Sequence, residues 1–195
     1  VNSKINPVED LETIKTEITL SDIDIIQKKL EKGKKKLLEE KQIKILEGKL
    51  NQLNEGKEIS VNDLDEKKFL SSLGLLCIKP KIIVCNVDEG SLSNGNAFTK
   101  EVQKKYSNEK VVTICADIED QIMGLDNSER ETFMKEIGLN KTGLNQLIKE
   151  GYELLNLDTF FTSGPEESRA WTVEKNTIAP KAASVIHTDF EKNFI

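Results

Sequence analysis

At 195 residues, 37% hydrophobic and 32% charged, the chain has the size and composition of a globular protein of one or two domains. Its net charge of -6 at pH 7 argues against a dedicated, sequence-specific DNA-binding domain, and no apolar run approaches the roughly 20 residues that span a bilayer. Cys77, Cys85 and Cys115, odd in number and without a C-x-x-C pair, suggest neither a disulfide framework nor a zinc site and suit a cytoplasmic protein in which they are structural. The opening "VNSKINPVED" carries neither Met nor a basic leader with an apolar core, so an interior fragment of a longer chain is expected.

In chain order, Asn6 before Pro7, with Glu9, Asp10 and Glu12 behind them, predicts a helix over residues 6–30. Ile23, Ile26, Leu30, Gly33 and Leu37 follow a 3-4-3-4 spacing, with Gly33 its weak position. Ile43, Leu46, Leu50 and Leu53 repeat that spacing one residue out of phase. A stutter in one helix or the tip of an antiparallel hairpin accounts for the break; the hairpin is expected, because two such short seams bury themselves only against each other. Gly56 ends the second arm, and "DEKKFLSSLG" reads as a short helix. The lysines of "KKLEKGKKK", ending in Lys34, Lys35 and Lys36, form either a solvated helix face or a diffuse surface for phosphate backbones.

From Lys81 the period becomes extended. "KIIVCN" and "KVVTICA" read as buried parallel strands flanking a helix over residues 97–106, a βαβ unit whose functional residues belong at the strand ends. Two helices follow, one with Ser128 and Glu131 spaced as a capping box and one over residues 143–155. "LDTFFT" and "RAWTV", joined by the turn-rich "SGPEES", read as strands, with a helix after Pro180; these are too few elements for an independent sheet domain.

The first strand of the βαβ unit runs into Asn86-Val87-Asp88-Glu89. A strand ending in Asn-x-x-acid resembles the base-recognition tetrad of GTPases, usually Asn-Lys-x-Asp. There the amide offers a donor and an acceptor to the purine edge, and the carboxylate accepts from guanine N1-H and its exocyclic amine. Val87 replaces the lysine and Glu89 lengthens the acid by one methylene, which displaces the two-bond fit to guanine. One unpaired buried polar group costs about 1–3 kcal/mol, enough to reverse a preference between purines. A second base loop follows the next strand in GTPases, usually Ser-Ala-Lys, and Cys115-Ala116-Asp117 stands at that place. The alanine is kept, and a small side chain there lets the main chain approach the base.

Together "NVDE", "LGLLCIKP" and "FFTSGPEESRAWTVEKNTIAPKAASVIHTDFEKNFI" resemble the YchF family, the Obg-like ATPases of the TRAFAC class of P-loop NTPases, over essentially the whole chain. The resemblance implies an α/β fold: the C-terminal part of a GTPase-type parallel-sheet domain (residues 1–18 and 79–156), a helical coiled-coil hairpin insertion (19–78) and the start of a β-grasp TGS domain (157–195). It implies ATP binding in preference to GTP, with Asn86, Val87, Glu89, Cys115 and Ala116 at the base, and association with the ribosome or ribosomal RNA by a cytoplasmic monomer. Asn176 stands where family members commonly have Gly, and Asn is the next most tolerant residue of positive φ.

No G-x-x-x-x-G-K-[ST] occurs in the sequence, so the Mg²⁺ ligands and phosphate cradle of an intact parent are not expected here, and this chain alone is expected to hydrolyse no nucleotide. An alternative reading is an RNA- or ribosome-binding module using Lys34, Lys35, Lys36 and the TGS surface without hydrolysis. His187, the only histidine, has no adjacent nucleophile and reads as structural or surface; Trp171 reads as a half-buried strand residue rather than a base-stacking platform.

Overall fold

The computed structural model describes residues 5–33 and 38–194, which divide into two compact units at Lys79/Pro80. In the first unit, α1 (Pro7–Gly33) is opened by Asn6, whose Oδ1 accepts the Glu9 N–H at 3.2 Å. α2 (Glu40–Asn54) begins where the Gln42 side chain accepts the Glu39 N–H at 3.1 Å. The two helices form a hairpin: Leu38 packs on Gly33 at one end, and Lys15 meets Glu58 at 3.2 Å near the other. Ile26, Leu30, Leu46 and Leu53 are buried in the core of this unit, with Ile23, Ile43 and Leu50 packed alongside, so the described positions of both predicted seams face the core; Leu37 lies outside the described residues. A Cβ on Gly33 would stand 2.5 Å from Leu38 Cδ1, so the weak seam position is a place where only glycine admits the facing leucine. Gly56, at φ +70°, ends the second arm.

α3 (Leu64–Ser72), capped by Asp63, closes the unit through Leu70 and the following Leu75, both fully buried. Two polar arrangements lie inside this core. Asp22 is fully buried and accepts the N–H groups of Leu76 and Cys77 at 2.8 and 2.7 Å. Lys49 and Glu66, 6% and 5% exposed, form a 2.6 Å ion pair, and Glu66 also accepts the Asn62 N–H at 2.8 Å.

The second unit begins with a parallel βαβ motif: β1 (Ile82–Asn86), α4 (Ala97–Lys105) and β2 (Lys110–Ile114). α4 is opened by Asn96, which accepts the Thr99 N–H at 3.0 Å. Next comes α5 (Ala116–Gly124), a helix not expected from the sequence; Ile118 and Ile122 bury its inner face with Cys115. α6 (Asn127–Glu136) has its capping box at Asp126 and Glu129, two residues before the expected Ser128 and Glu131. The N–H groups of Glu129 and Ser128 and the Ser128 hydroxyl donate to the Asp126 carboxyl and hold it below its usual range.

α7 (Gly143–Leu154) packs on β2 and β3. β3 (Leu157–Ser163) and β4 (Ser168–Glu174) form an antiparallel pair, with Phe160 opposite Trp171. The turn after β4 places Asn176 at φ +65°, a left-handed conformation that asparagine tolerates better than most residues with a side chain. α8 (Ala179–Ser184) carries Pro180 in its first turn, and the short α9 (Thr188–Lys192), also not expected from the sequence, follows. Among the described residues no helix is long and apolar enough to cross a membrane.

Candidate functional site

β1 and β2 end side by side. Asn86 pairs with Ile114 in the ladder, and the Val87 N–H donates to the Ile114 carbonyl at 2.9 Å, carrying the pairing one residue past β1. Cys115 follows in extended conformation, 2% exposed, and Ala116 opens α5. The Ala116 N–H donates to Asn86 Oδ1 at 2.9 Å. Because a backbone N–H is only a donor, the Asn86 atom facing it is the oxygen, which fixes the amide's orientation. The Nδ2 donors of Asn86 make no hydrogen bond among the described residues.

Asn86 and Ala116, both exposed, are thus joined at the tips of neighbouring parallel strands. Val87, next in the chain, is half-buried. Asp88 turns back to cap the 3₁₀ turn Glu89–Ser91, accepting the Ser91 N–H at 2.8 Å, and is thereby occupied. Glu89, first residue of that turn, is exposed. Cys115-Ala116-Asp117, expected as a loop after the strand, is instead the N-cap and first turn of α5, so Ala116 presents a helix N–H. Asp117, also exposed, stands beside it in that turn.

Sequence reasoning passes over Glu119, one turn into α5. Its Oε1 accepts the Gly143 N–H at 2.6 Å and its Oε2 the Leu144 N–H at 3.2 Å, tying α5 to the start of α7. The only local signal is an acid three residues after the small residue at the strand exit.

Burial pushes the Cys85 thiol up, away from the thiolate form, and Cys115 is buried, so both behave as small hydrophobes. His187 caps α9, its Nδ1 accepting the Asp189 N–H at 3.2 Å. Trp171 is half-buried, donates from Nε1 to Thr162 Oγ1 at 2.9 Å, and carries the Arg169 guanidinium 4.3 Å from its ring centre. Among the described residues no group of three or more His, Cys, Asp or Glu side chains is placed to hold a metal ion. Lys34, Lys35 and Lys36 lie outside the described residues.

A parallel βαβ unit whose strand tips are joined by Asn86 and Ala116, followed by an antiparallel hairpin and helices, is consistent with the C-terminal part of a GTPase-type α/β protein. The structure superposes on that of the Schizosaccharomyces pombe YchF GTPase with a TM-score of 0.84 at 29% identity, over 100% of this chain and 56% of that one. Residues 157–195 match the family model YchF-GTPase_C, described as a protein of unknown function (DUF933). The chain is 40% identical over 204 residues to the ribosome-binding ATPase YchF of Escherichia coli O157:H7, and 36% identical over 206 residues to that of Bacillus subtilis. It is therefore similar to YchF proteins along its whole length. The match takes in 100% of this chain and 56% of each relative, so the chain spans about half the length of the curated relatives it matches.

Proposed function

We propose that the cleft between the tips of β1 and β2 reads the purine base of a nucleotide. The observation that carries this is the 2.9 Å bond from the Ala116 N–H to Asn86 Oδ1, which joins the two strand exits and leaves the Nδ2 donors of the same amide without a partner among the described residues. A purine N7 is a lone-pair acceptor in both adenine and guanine, so Nδ2 reads the purine class and not which purine. With the amide oxygen already held by Ala116, discrimination falls to the groups that meet the far edge, chiefly Glu89. Its extra methylene displaces the paired acceptors that guanine needs, which favours adenine; ATP is the preferred ligand and GTP the weaker one.

The relatives' name, ribosome-binding ATPase, supports carrying the whole activity over: a cytoplasmic protein that hydrolyses ATP and associates with the ribosome. In this division of labour residues 79–156, with 1–18, belong to the nucleotide-binding domain, 19–78 to the helical insertion and 157–195 to the start of the TGS domain. The first of these boundaries falls within α1, which runs unbroken from Pro7 to Gly33. The present residues supply base recognition; phosphate binding and Mg²⁺ ligation require a loop this sequence lacks, so the isolated chain hydrolyses no nucleotide. The test is nucleotide binding by the protein expressed from its complete reading frame. ATP affinity falls on Asn86→Ala; unchanged affinity refutes the reading.

A second reading concerns the ribosome. The last turns of α1 carry Lys28, Lys29 and Lys32, two of them exposed, leading into Lys34, Lys35 and Lys36. This arm contacts RNA phosphates through diffuse charge, so reversing Lys34, Lys35 and Lys36 to Glu weakens ribosome binding and flattens its salt dependence. Unaltered affinity marks the lysines as solvated only.

A further inference from the structure

The purine cleft depends on where one backbone N–H points, and the structure holds that group from two sides. The inner anchor is the Ala116 N–H bond to Asn86 Oδ1 at 2.9 Å. The outer anchor is Glu119, three residues along the same helix, whose two carboxylate oxygens take the Gly143 and Leu144 N–H groups at 2.6 and 3.2 Å. These are first-turn donors of α7, groups that no intrahelical carbonyl satisfies, and a carboxylate there also meets the positive end of the helix. α7 has a local cap already, since Thr142 Oγ1 accepts the Asn145 N–H at 3.1 Å. A second cap supplied from 24 residues away does something a local cap cannot: it joins two helices.

The joint is tight. A Cβ on Gly143 would stand 2.7 Å from Ile114 Cγ2 and 3.0 Å from Glu119 Oε1. Ile114 is the residue paired with Asn86 in the ladder, so the start of α7 rests directly on the strand position that frames the cleft. Apolar packing of Ile118 and Ile122 holds α5 to the body, but such packing is non-directional and leaves the helix roll weakly specified. The two polar anchors, one at the first N–H of α5 and one at the side chain three residues along it, set that roll.

The geometry points to Glu119 as a positioning residue for purine recognition: by clamping the start of α7 it fixes the first turn of α5, and through Ala116 the direction of the Asn86 amide. Gly143 completes the device, because only a residue without a side chain lets α7 reach the clamp. This inference rests on the base-reading proposal above, and the experiment separates the two. In the protein expressed from its complete reading frame, Glu119→Ala, Glu119→Gln, Gly143→Ala and Asn86→Ala are compared for binding of Mg-ATP and of inorganic tripolyphosphate, which has no base. Small misplacements of binding groups are felt strongly, so Glu119→Ala and Gly143→Ala weaken Mg-ATP binding about tenfold and leave tripolyphosphate within about twofold. Glu119→Gln, which keeps one carbonyl acceptor, falls between; it and Gly143→Ala carry the test where Glu119→Ala does not fold. Parallel loss of both probes reveals a general structural role and overturns the inference. Unchanged Mg-ATP affinity in the Glu119 and Gly143 variants, with Asn86→Ala weakened, overturns the positioning role alone. Unchanged affinity in Asn86→Ala overturns base reading and positioning together.

Discussion

Asn86→Asp separates the two jobs assigned to one side chain. The substitution keeps an oxygen facing the Ala116 N–H, 2.9 Å away in the native structure, and removes the Nδ2 donors. For the tether the change is favourable: a charged acceptor at the first N–H of α5 gains from the helix dipole, about 0.3–1 kcal/mol at a surface site. For a bound purine it is unfavourable, because a carboxylate then faces the N7 lone pair in place of a donor. Loss of one such polar match costs about 1–3 kcal/mol, a reduction in affinity of about 5- to 150-fold. Asn86→Ala loses both functions. Thermal denaturation and fluorescent-nucleotide titration of the protein from its complete reading frame, run on both variants, give the contrast: Asn86→Asp is as stable as the native protein or more so and binds ATP poorly, whereas Asn86→Ala is weaker on both counts. Native ATP affinity in the Asn86→Asp variant refutes base reading by the amide, and stability as low as that of the alanine variant refutes the tether.

Other outcomes follow from the helical unit and the turns. Lys49→Met leaves Glu66 buried without its cation and costs about 3–5 kcal/mol in urea denaturation followed by ellipticity, while Lys49→Met with Glu66→Leu recovers most of that loss; a double variant no better than the single shows that packing, not charge, sets the effect. Burial alone raises the Glu66 carboxyl, but the Lys49 hydrogen bond, the Asn62 N–H and the Lys49 charge outweigh it and hold the group below 4.5. Its folded pKa lies below its unfolded one, so its contribution is complete above about pH 4.5 and is lost as pH falls through the folded value; acid titration of Glu66→Gln lacks that component. Asn176→Ala, at φ +65°, destabilises by about 1 kcal/mol and Asn176→Gly does not, read by thermal unfolding with Trp171 fluorescence as the probe on the neighbouring strand. Gly33→Ala drives a methyl into Leu38 and lowers the stability of the hairpin, whereas Gly33→Ala with Leu38→Ala removes the collision and exchanges it for a cavity cost.

Local order in the sequence is enough for most elements. The 3-4-3-4 seams of Ile26, Leu30, Leu46 and Leu53, the β-branched runs before Asn86 and Cys115, and the positive-φ asparagine at 176 each act through neighbours a few residues away, and each is found in the structure. α5 is hidden because its pattern is short and its start, Cys115-Ala116-Asp117, reads as a loop by resemblance to the GTPases. The Asp126 cap is hidden because two acid-spaced boxes overlap there, and only the folded backbone selects between them.

What the sequence by itself determined was the architecture and the identity of the residues at the strand tips, because hydrophobic periodicity and turn chemistry are written in consecutive positions. What only the tertiary structure decided were the polar partners: Asp22 with the Leu76 and Cys77 N–H groups, Lys49 with Glu66, Asn86 with Ala116, and Glu119 with the start of α7. Each of these bonds joins groups far apart in the chain and acts over about 3 Å, so it exists only once helices and strands have been packed, and no periodicity in the sequence encodes it.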